Sequence, residues 1–203
     1  VPADIDVRPV RHRDVRTAGR VLARAFFDDP VMTWMVPGSG TRAKGLRRGF
    51  TTLGRLHFLP RGGSEVATRE GEIGGATMWD PPGQRKSGRL EQLLMMPGML
   101  WAFGRRAPAM EQLNELMEEN HPEESHWYLM IIGTDPTVRG AGFGQALMNS
   151  RLQRCDDEHA PAYLEATKPE LPAYYMRFGF EVTGELQLPN GGPKMWPMWR
   201  QPR

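Results

Sequence analysis

Arg139 is followed by glycines at three alternate positions, Gly140, Gly142 and Gly144, and a helix-type sequence opens at Gln145. Ahead of them an apolar run, Leu129 to Ile132, is short enough for one buried strand. Asp135-Pro136 then breaks the ladder, because proline has no N–H to donate. Strand, tight turn and helix therefore meet where the side chains shrink to hydrogen. The first turn of a helix carries backbone N–H groups without partners, at the positive end of the peptide dipoles. With nothing bulkier than hydrogen in front of them, a diphosphate can reach the backbone and accept several of these groups. Arg139 adds a permanent, forked cation suited to phosphate oxygens. With 23 glycines in 203 residues, such a triple arises by chance roughly 0.3 times. The placement after a buried strand, with Arg139 in front, therefore carries the reading of a pyrophosphate cradle.

The dinucleotide fingerprint is the first rival. Counted from Gly140 and Gly142, its third glycine position is Gln145; counted from Gly142 and Gly144, it is Leu147. Both fail. Glu165 stands about 20 residues on, where a ribose-binding acid would be expected, and acts as a decoy. A mononucleotide loop is excluded, since no glycine-lysine-serine/threonine follows.

The pattern Arg139-x-x-Gly142-x-Gly144, preceded by Asp135-Pro136, resembles the coenzyme A pyrophosphate loop of the GCN5-related N-acetyltransferase (GNAT) superfamily. Tyr174-Tyr175-Met-Arg-Phe-Gly-Phe180 is similar to that superfamily's tyrosine-x-x-x-glycine-phenylalanine signature. The strand Leu164-Glu165-Ala166-Thr167 lies between the two. The chain also resembles the puromycin N-acetyltransferase group in three segments: Arg8 to Asp14, Ala25 to Pro30, and Lys194 to Arg200.

The resemblance implies acetyl-CoA as co-substrate and direct transfer of the acetyl group to a primary amine of a small molecule or peptide. It places Arg139, Gly140, Ala141, Gly142, Phe143, Gly144 and Gln145 at the diphosphate. It also implies that the preceding strand splays from its neighbour. Backbone at Ile132, Gly133 and Thr134 would then face the pantetheine arm and the thioester carbonyl, where one N–H donor is worth about 3 kcal/mol to the transition state. Gly133 departs from the larger residue common there. Tyr175 matches the tyrosine that protonates the departing thiolate, with Tyr174 pointing the other way as a built-in control. Glu165 is the candidate base, relaying a proton from the amine through water. Lys168 stands where many members carry asparagine. Phe26, Phe27, Asp28, Asp29 and Trp34 form an aromatic and acidic group in the helix-turn-helix that lines the acceptor pocket, where carboxylates would attract an ammonium group. Asp28 and Asp29 have a plainer use as turn residues before Pro30. A non-catalytic CoA-binding module and a nicotinamide-dependent oxidoreductase are the other function classes weighed.

A chain of 203 residues suits one domain, 1–203, with a core that needs no staples. Net charge is +2, which does not suggest nucleic acid as a main partner. A lone Cys155 allows no intrachain disulfide and fits a reducing cytoplasm. The five histidines show no metal-ligand spacing with Cys155, so no metal is expected. The longest apolar stretch, Leu93 to Phe103, is interrupted by Pro97-Gly98 and is too short to span a bilayer. No membrane partner is expected; a homodimer is compatible with the sequence.

The positioning elements follow from periodicity. Ile5 to Val10 alternates as a strand, and Asp14 opens a helix with Val15, Ala18, Val21, Leu22, Ala25 and Phe26 on one stripe. Arg13, Arg16, Arg20 and Arg24 fall off it. That helix ends before Pro30. A second amphipathic helix spans Thr41 to Leu59, weakened by Gly45, Gly49 and Gly54. Glu65 to Arg69 and Ile73 to Trp79 form a hairpin around Glu70-Gly71. A polar loop runs through Ser87, then a helical region from Gly88 to Asn120 breaks near Pro97-Gly98 and Pro108. Its methionines and leucines read as core or partner packing rather than a substrate wall. His126 to Thr134 leads into the cradle, whose helix ends near Glu158. Tyr163 to Thr167 is the next strand, and Leu171 to Phe178 a short helix. Phe180 to Leu188 and Lys194 to Trp199 close an antiparallel pair around Asn190-Gly191-Gly192. The total is an α/β (α+β) fold: a mixed, mostly antiparallel sheet with helices on both faces.

Overall fold

The computed structural model describes residues 5–84 and 87–203; the middle of the polar loop expected through Ser87 lies outside the described residues. The strands are β1 (Asp6–Pro9), β2 (Glu65–Arg69), β3 (Glu72–Asp80), β4 (Trp127–Thr134), β5 (Ala162–Ala166), β6 (Glu181–Val182), β7 (Leu186–Gln187) and β8 (Lys194–Arg200). The helices are α1 (Val15–Ala25), α2 (Pro30–Met35), α3 (Ser39–Leu53), α4 (Leu59–Arg61), α5 (Arg89–Phe103), α6 (Ala107–Glu119), α7 (Phe143–Asp157) and α8 (Leu171–Met176). One sheet runs in the order β1-β2-β3-β4-β5-β8-β6, with β7 also on β8. Its pairs are antiparallel except β4 with β5. The mixed, mostly antiparallel sheet expected from the sequence is the sheet observed.

Each face has its own core. On one side α7 and α8 set Met148, Leu152 and Tyr175 against Trp79, Leu129, Leu164 and Met198. On the other, α1 and α3 set Leu22, Leu46 and Phe50 against Val66, Ala76, Met78 and Ile131. The α1 stripe packs as its spacing demands, with Val15, Ala18, Val21 and Leu22 buried and Arg16, Arg20 and Arg24 exposed. Sealing a residue such as Leu22 from water contributes about 2 kcal/mol. A third cluster joins α2 and α6 to the β7–β8 turn through Val31, Met35, Leu113, Leu188 and Met195.

The β2–β3 turn has positive φ at both Glu70 (52°) and Gly71 (83°), the backbone that matches the twist of a two-residue hairpin. Two expectations change. The helix after Thr41 begins at Ser39 and gives way to a π-turn at Gly54–Phe58 before α4. The helix after Gly88 does not break at Pro97, which lies within α5. Pro97 is exposed, so the carbonyl its missing N–H leaves unpaired faces water. The break comes at Gly104, whose φ of 45° ends the helix.

The glycines expected to weaken α3 instead let α5 approach it. A β-carbon on Gly45 would sit 2.5 Å from the Ala102 carbonyl oxygen, and one on Gly49 would sit 3.1 Å from the Phe103 ring. A polar cluster pins the start of the same helix. His57, buried in the π-turn, bonds Asp80 through Nε2 at 2.8 Å and Glu91 through Nδ1 at 2.6 Å. Arg61 grips both Glu91 oxygens at 2.9 Å.

Candidate active site

The parallel ladder between β4 and β5 has three rungs: Trp127–Ala162, Tyr128–Tyr163 and Leu129–Leu164. It then stops. On its other edge β4 stays bonded to β3, but Trp79 pairs with Leu129 and Met78 with Ile131, so Met130 is an extra residue on β4. Such a bulge bends a strand and tightens its twist. Past Leu129 the two strands therefore diverge, and a cleft of about 610 Å³ opens between them.

One wall is the end of β4 with the turn that follows it. Ile132, Gly133, Thr134, Arg139, Gly140, Gly142, Phe143, Gly144 and Gln145 all line the cleft. Gly140 and Gly142 have φ of 82° and 95°, where an L side chain is strained. Gly142 is the N-cap of α7, so the free N–H groups of that helix's first turn open on the cleft. A β-carbon on Gly144 would lie 3.1 Å from the Tyr174 hydroxyl. The bare turn, the helix end and Arg139 at its rim together fit a diphosphate.

Two of the expected residues serve the cradle from behind. Ala141 does not line the cleft; its carbonyl accepts a hydrogen bond from Arg69 at 3.3 Å. The Phe143 ring is buried where a β-carbon on Gly74 would lie 2.5 Å from it, with the Arg69 guanidinium 5.2 Å from its centre. The ring anchors the loop while the Phe143 backbone faces the cleft. Gly133 has a packing reason too. A β-carbon there would come within 2.8 Å of Ala25 and 3.0 Å of Leu22, so the glycine lets α1 lie close on β4.

The opposite wall comes from β5 and α8. Tyr175 is 6% exposed, and burial, with Tyr174 and Asp29 nearby, raises its pKa well above the ordinary phenol value. Its hydroxyl makes no hydrogen bond among the described residues. Tyr174 does not point away as expected. Both tyrosines line the cleft, their rings edge to face at 5.3 Å, because α8 is short and lies along the opening. Glu165 lines it from β5, and the Tyr128 hydroxyl donates to its Oε2 at 2.8 Å.

Of the five residues in the acceptor group, Phe26 and Asp29 reach the cleft and Phe27, Asp28 and Trp34 do not. Asp28 is exposed on the turn. Phe27 lies under the Arg42 guanidinium at 4.7 Å, and Trp34 packs in the cluster of α2, α6 and the β7–β8 turn. Phe26, one residue earlier, is the aromatic that faces the opening. Asp29 does cap a helix as the turn reading required: its Oδ1 accepts from Val31 N at 3.0 Å and Met32 N at 3.1 Å. Its Oδ2 accepts from the Thr167 hydroxyl at 2.5 Å, across the mouth of the cleft. Burial raises the Asp29 pKa against the opposing pull of Thr167, the two amides and Lys168.

Thr167, Lys168 and Arg177 also line the cleft. The sequence gives no local signal for Thr167 or Tyr128, whose partners are set by strand pairing. Cys155 takes no part; burial pushes its thiol up to about 12.

Residues 109–180 match the model of the Acetyltransferase (GNAT) family. An uncharacterized N-acetyltransferase of Schizosaccharomyces pombe is 25% identical over 199 residues, covering 92% of this chain and 78% of its own. A Corynebacterium glutamicum structure described as histone acetyltransferase HPA2 and related acetyltransferase is 28% identical. The match covers 98% of this chain and 97% of that one, with a TM-score of 0.78. The match to the GNAT family model thus runs from α6 through β4, the glycine turn, α7, β5 and α8, and includes the elements that build most of the cleft. The fold alone is shared with the Drosophila melanogaster polyamine N-acetyltransferase, 18% identical with a TM-score of 0.66 over 98% of this chain and 100% of that one. These matches make the chain an N-acetyltransferase, and members of the GNAT family that residues 109–180 match use acetyl-CoA. Neither the nicotinamide-dependent reading nor the non-catalytic module is favoured by these matches. Nothing among them singles out the puromycin group.

Proposed function

We propose that this acetyltransferase moves the acetyl group of acetyl-CoA to the primary amine of a small, positively charged acceptor. Acetyl-CoA supplies an activated thioester. The turn from Arg139 to Gln145 would hold its diphosphate, and the edge of β4 from Ile132 to Thr134, released by the splay, would take the arm and the carbonyl. A backbone N–H on that edge stabilises charge as it develops on the carbonyl oxygen.

The observation that carries the reading is the arrangement of acids across one opening. Tyr175 and Glu165 line the same cleft from adjacent elements. Tyr175 carries its proton at neutral pH and would deliver it to the departing sulfur. Burial raises its pKa and makes that transfer more uphill, so close placement against the sulfur must offset the cost. Glu165, oriented by Tyr128, would take the proton of the amine, directly or through water. Asp29 and Glu165 put negative charge on the acceptor side, partly offset by Lys168 near Asp29, whereas Arg139 puts positive charge where phosphate would lie. Small amines suit that side, and the Drosophila neighbour is a polyamine enzyme. Aminonucleosides such as puromycin belong in the same panel, on the resemblance of Arg8 to Asp14 and Lys194 to Arg200.

The test is thiol release from acetyl-CoA with a panel of diamines, polyamines, aminonucleosides and peptide N-termini. Turnover with a cationic small amine, lost in Tyr175→Phe, is the expected result. Turnover with peptides alone, or equal turnover in Tyr175→Phe, would overturn the assignment.

A further inference from the structure

β3 and β4 are adjacent antiparallel strands that a short hairpin could join, yet residues 81–126, including α5 and α6, intervene. The outer side of α5 is apolar. Leu90 is 70% exposed, Leu93 59%, Leu94 57%, Met96 49%, Leu100 53% and Trp101 56%. Their spacing makes one broad stripe, with the exposed Pro97 within it. After Arg89 the one charged residue of α5 is Glu91, and it faces inward to Arg61 and His57. A helix on a monomer's surface carries its charges outward and its leucines inward. α5 does the reverse. It cannot simply roll over, because the Glu91 cluster and the close approach of Gly45 to Ala102 hold it.

The stripe leaves six large apolar side chains about half or more exposed on one helix face, and a standard stable interface would cover such a face by burying ~800 Å² on each partner. It is also self-complementary. A two-fold axis passing near Pro97 runs two copies antiparallel, sets Leu93 of each against Leu100 of the other, and lays Leu90 by Trp101. That is the isologous contact of a cyclic dimer. We propose that α5 is the interface between two copies of this chain, each covering the other's apolar stripe.

The test is the mass of the full chain by size-exclusion chromatography with light scattering at tens of micromolar. The expected mass is twice the 23.0 kDa of one chain. Leu93→Glu and Leu100→Lys each place a charge where the partner offers leucine, so each variant alone is expected at half the wild-type mass with an unchanged circular dichroism spectrum. Mixed in equal amounts they restore the dimer, because the carboxylate introduced on one copy then meets the ammonium introduced on the other. Independently, Met96→Cys lies beside the axis and forms a disulfide-linked dimer under mild oxidation, with Cys155 buried and silent. A monomeric wild type, variants that stay dimeric, or a mixture that stays monomeric would overturn the proposal. So would a monomer that sediments with phospholipid vesicles, which would assign the stripe to a lipid surface.

Discussion

Leu129 faces Leu164 on the last rung of the parallel ladder, and Met130 bulges from β4 immediately beyond. One step along the strand thus separates a closed sheet from an open cleft. Everything proposed for the chemistry uses backbone or side chains that this divergence exposes: the edge from Ile132 to Thr134, and Tyr175 with Glu165 across from it.

Tyr175→Phe is expected to lower kcat by about 10²- to 10³-fold and to leave KM for both substrates nearly unchanged. The hydroxyl bonds no described protein group, so thermal stability should move little. Steady-state kinetics beside a melting curve checks both halves. A loss of folding with no separable kinetic defect would make Tyr175 a packing residue.

Gly142→Ala puts a side chain where φ is 95°, a conformation that disfavours L residues by about 1–2 kcal/mol. Gly144→Val crowds the Tyr174 hydroxyl, 3.1 Å from the position of its β-carbon. Both are expected to weaken CoA binding at least tenfold by calorimetric titration. Gly71→Ala, at φ 83° in the distant β2–β3 turn, is the control: it shares the strain and should leave CoA affinity alone.

Asp29→Asn keeps an oxygen to cap α2, since asparagine caps about as well as aspartate, but removes the charge. The expected result is a raised KM for cationic amines, little change for a neutral amine, and a melting temperature close to wild type. Asp29→Ala loses the cap as well and should be destabilised by about 1 kcal/mol. Equal effects of Asn on charged and uncharged acceptors would remove Asp29 from acceptor recognition.

Glu91 gives a pH signature. Its burial pushes the pKa up, but hydrogen bonds from Arg61, His57 and Ser87 outweigh that and bring it down to about 2, from 4.5. The unfolded chain therefore binds more protons between these values, and stability rises with pH across them. The contribution is fully present above about 4.5 and is lost as pH falls toward about 2. Urea midpoints measured from neutral to acid pH should show a shallower acid loss in Glu91→Gln than in the wild type. Identical slopes would deny Glu91 its part.

The glycine turn ahead of α7 is legible in the sequence because the residues that make it are neighbours in the chain. Alternate glycines after an apolar strand, an arginine in front and a helix behind define a turn from neighbouring residues alone. The same holds for the Glu70-Gly71 hairpin, the α1 stripe, and the short helix carrying Tyr174 and Tyr175. What depends on residues far apart in the chain is decided by the tertiary structure. The width of the cleft follows from where the β4–β5 ladder ends and from the Met130 bulge. Tyr128 reaches Glu165 because those strands run parallel in one register. Phe26 faces the opening and Phe27 does not, because a helix ending one residue earlier or later turns each side chain by about 100°. α5 turns its leucines outward because glycines on α3 and the carboxylate of Glu91 fix its inner face. Sequence spacing shows that such a stripe exists, while packing against other elements determines which side of it meets the protein.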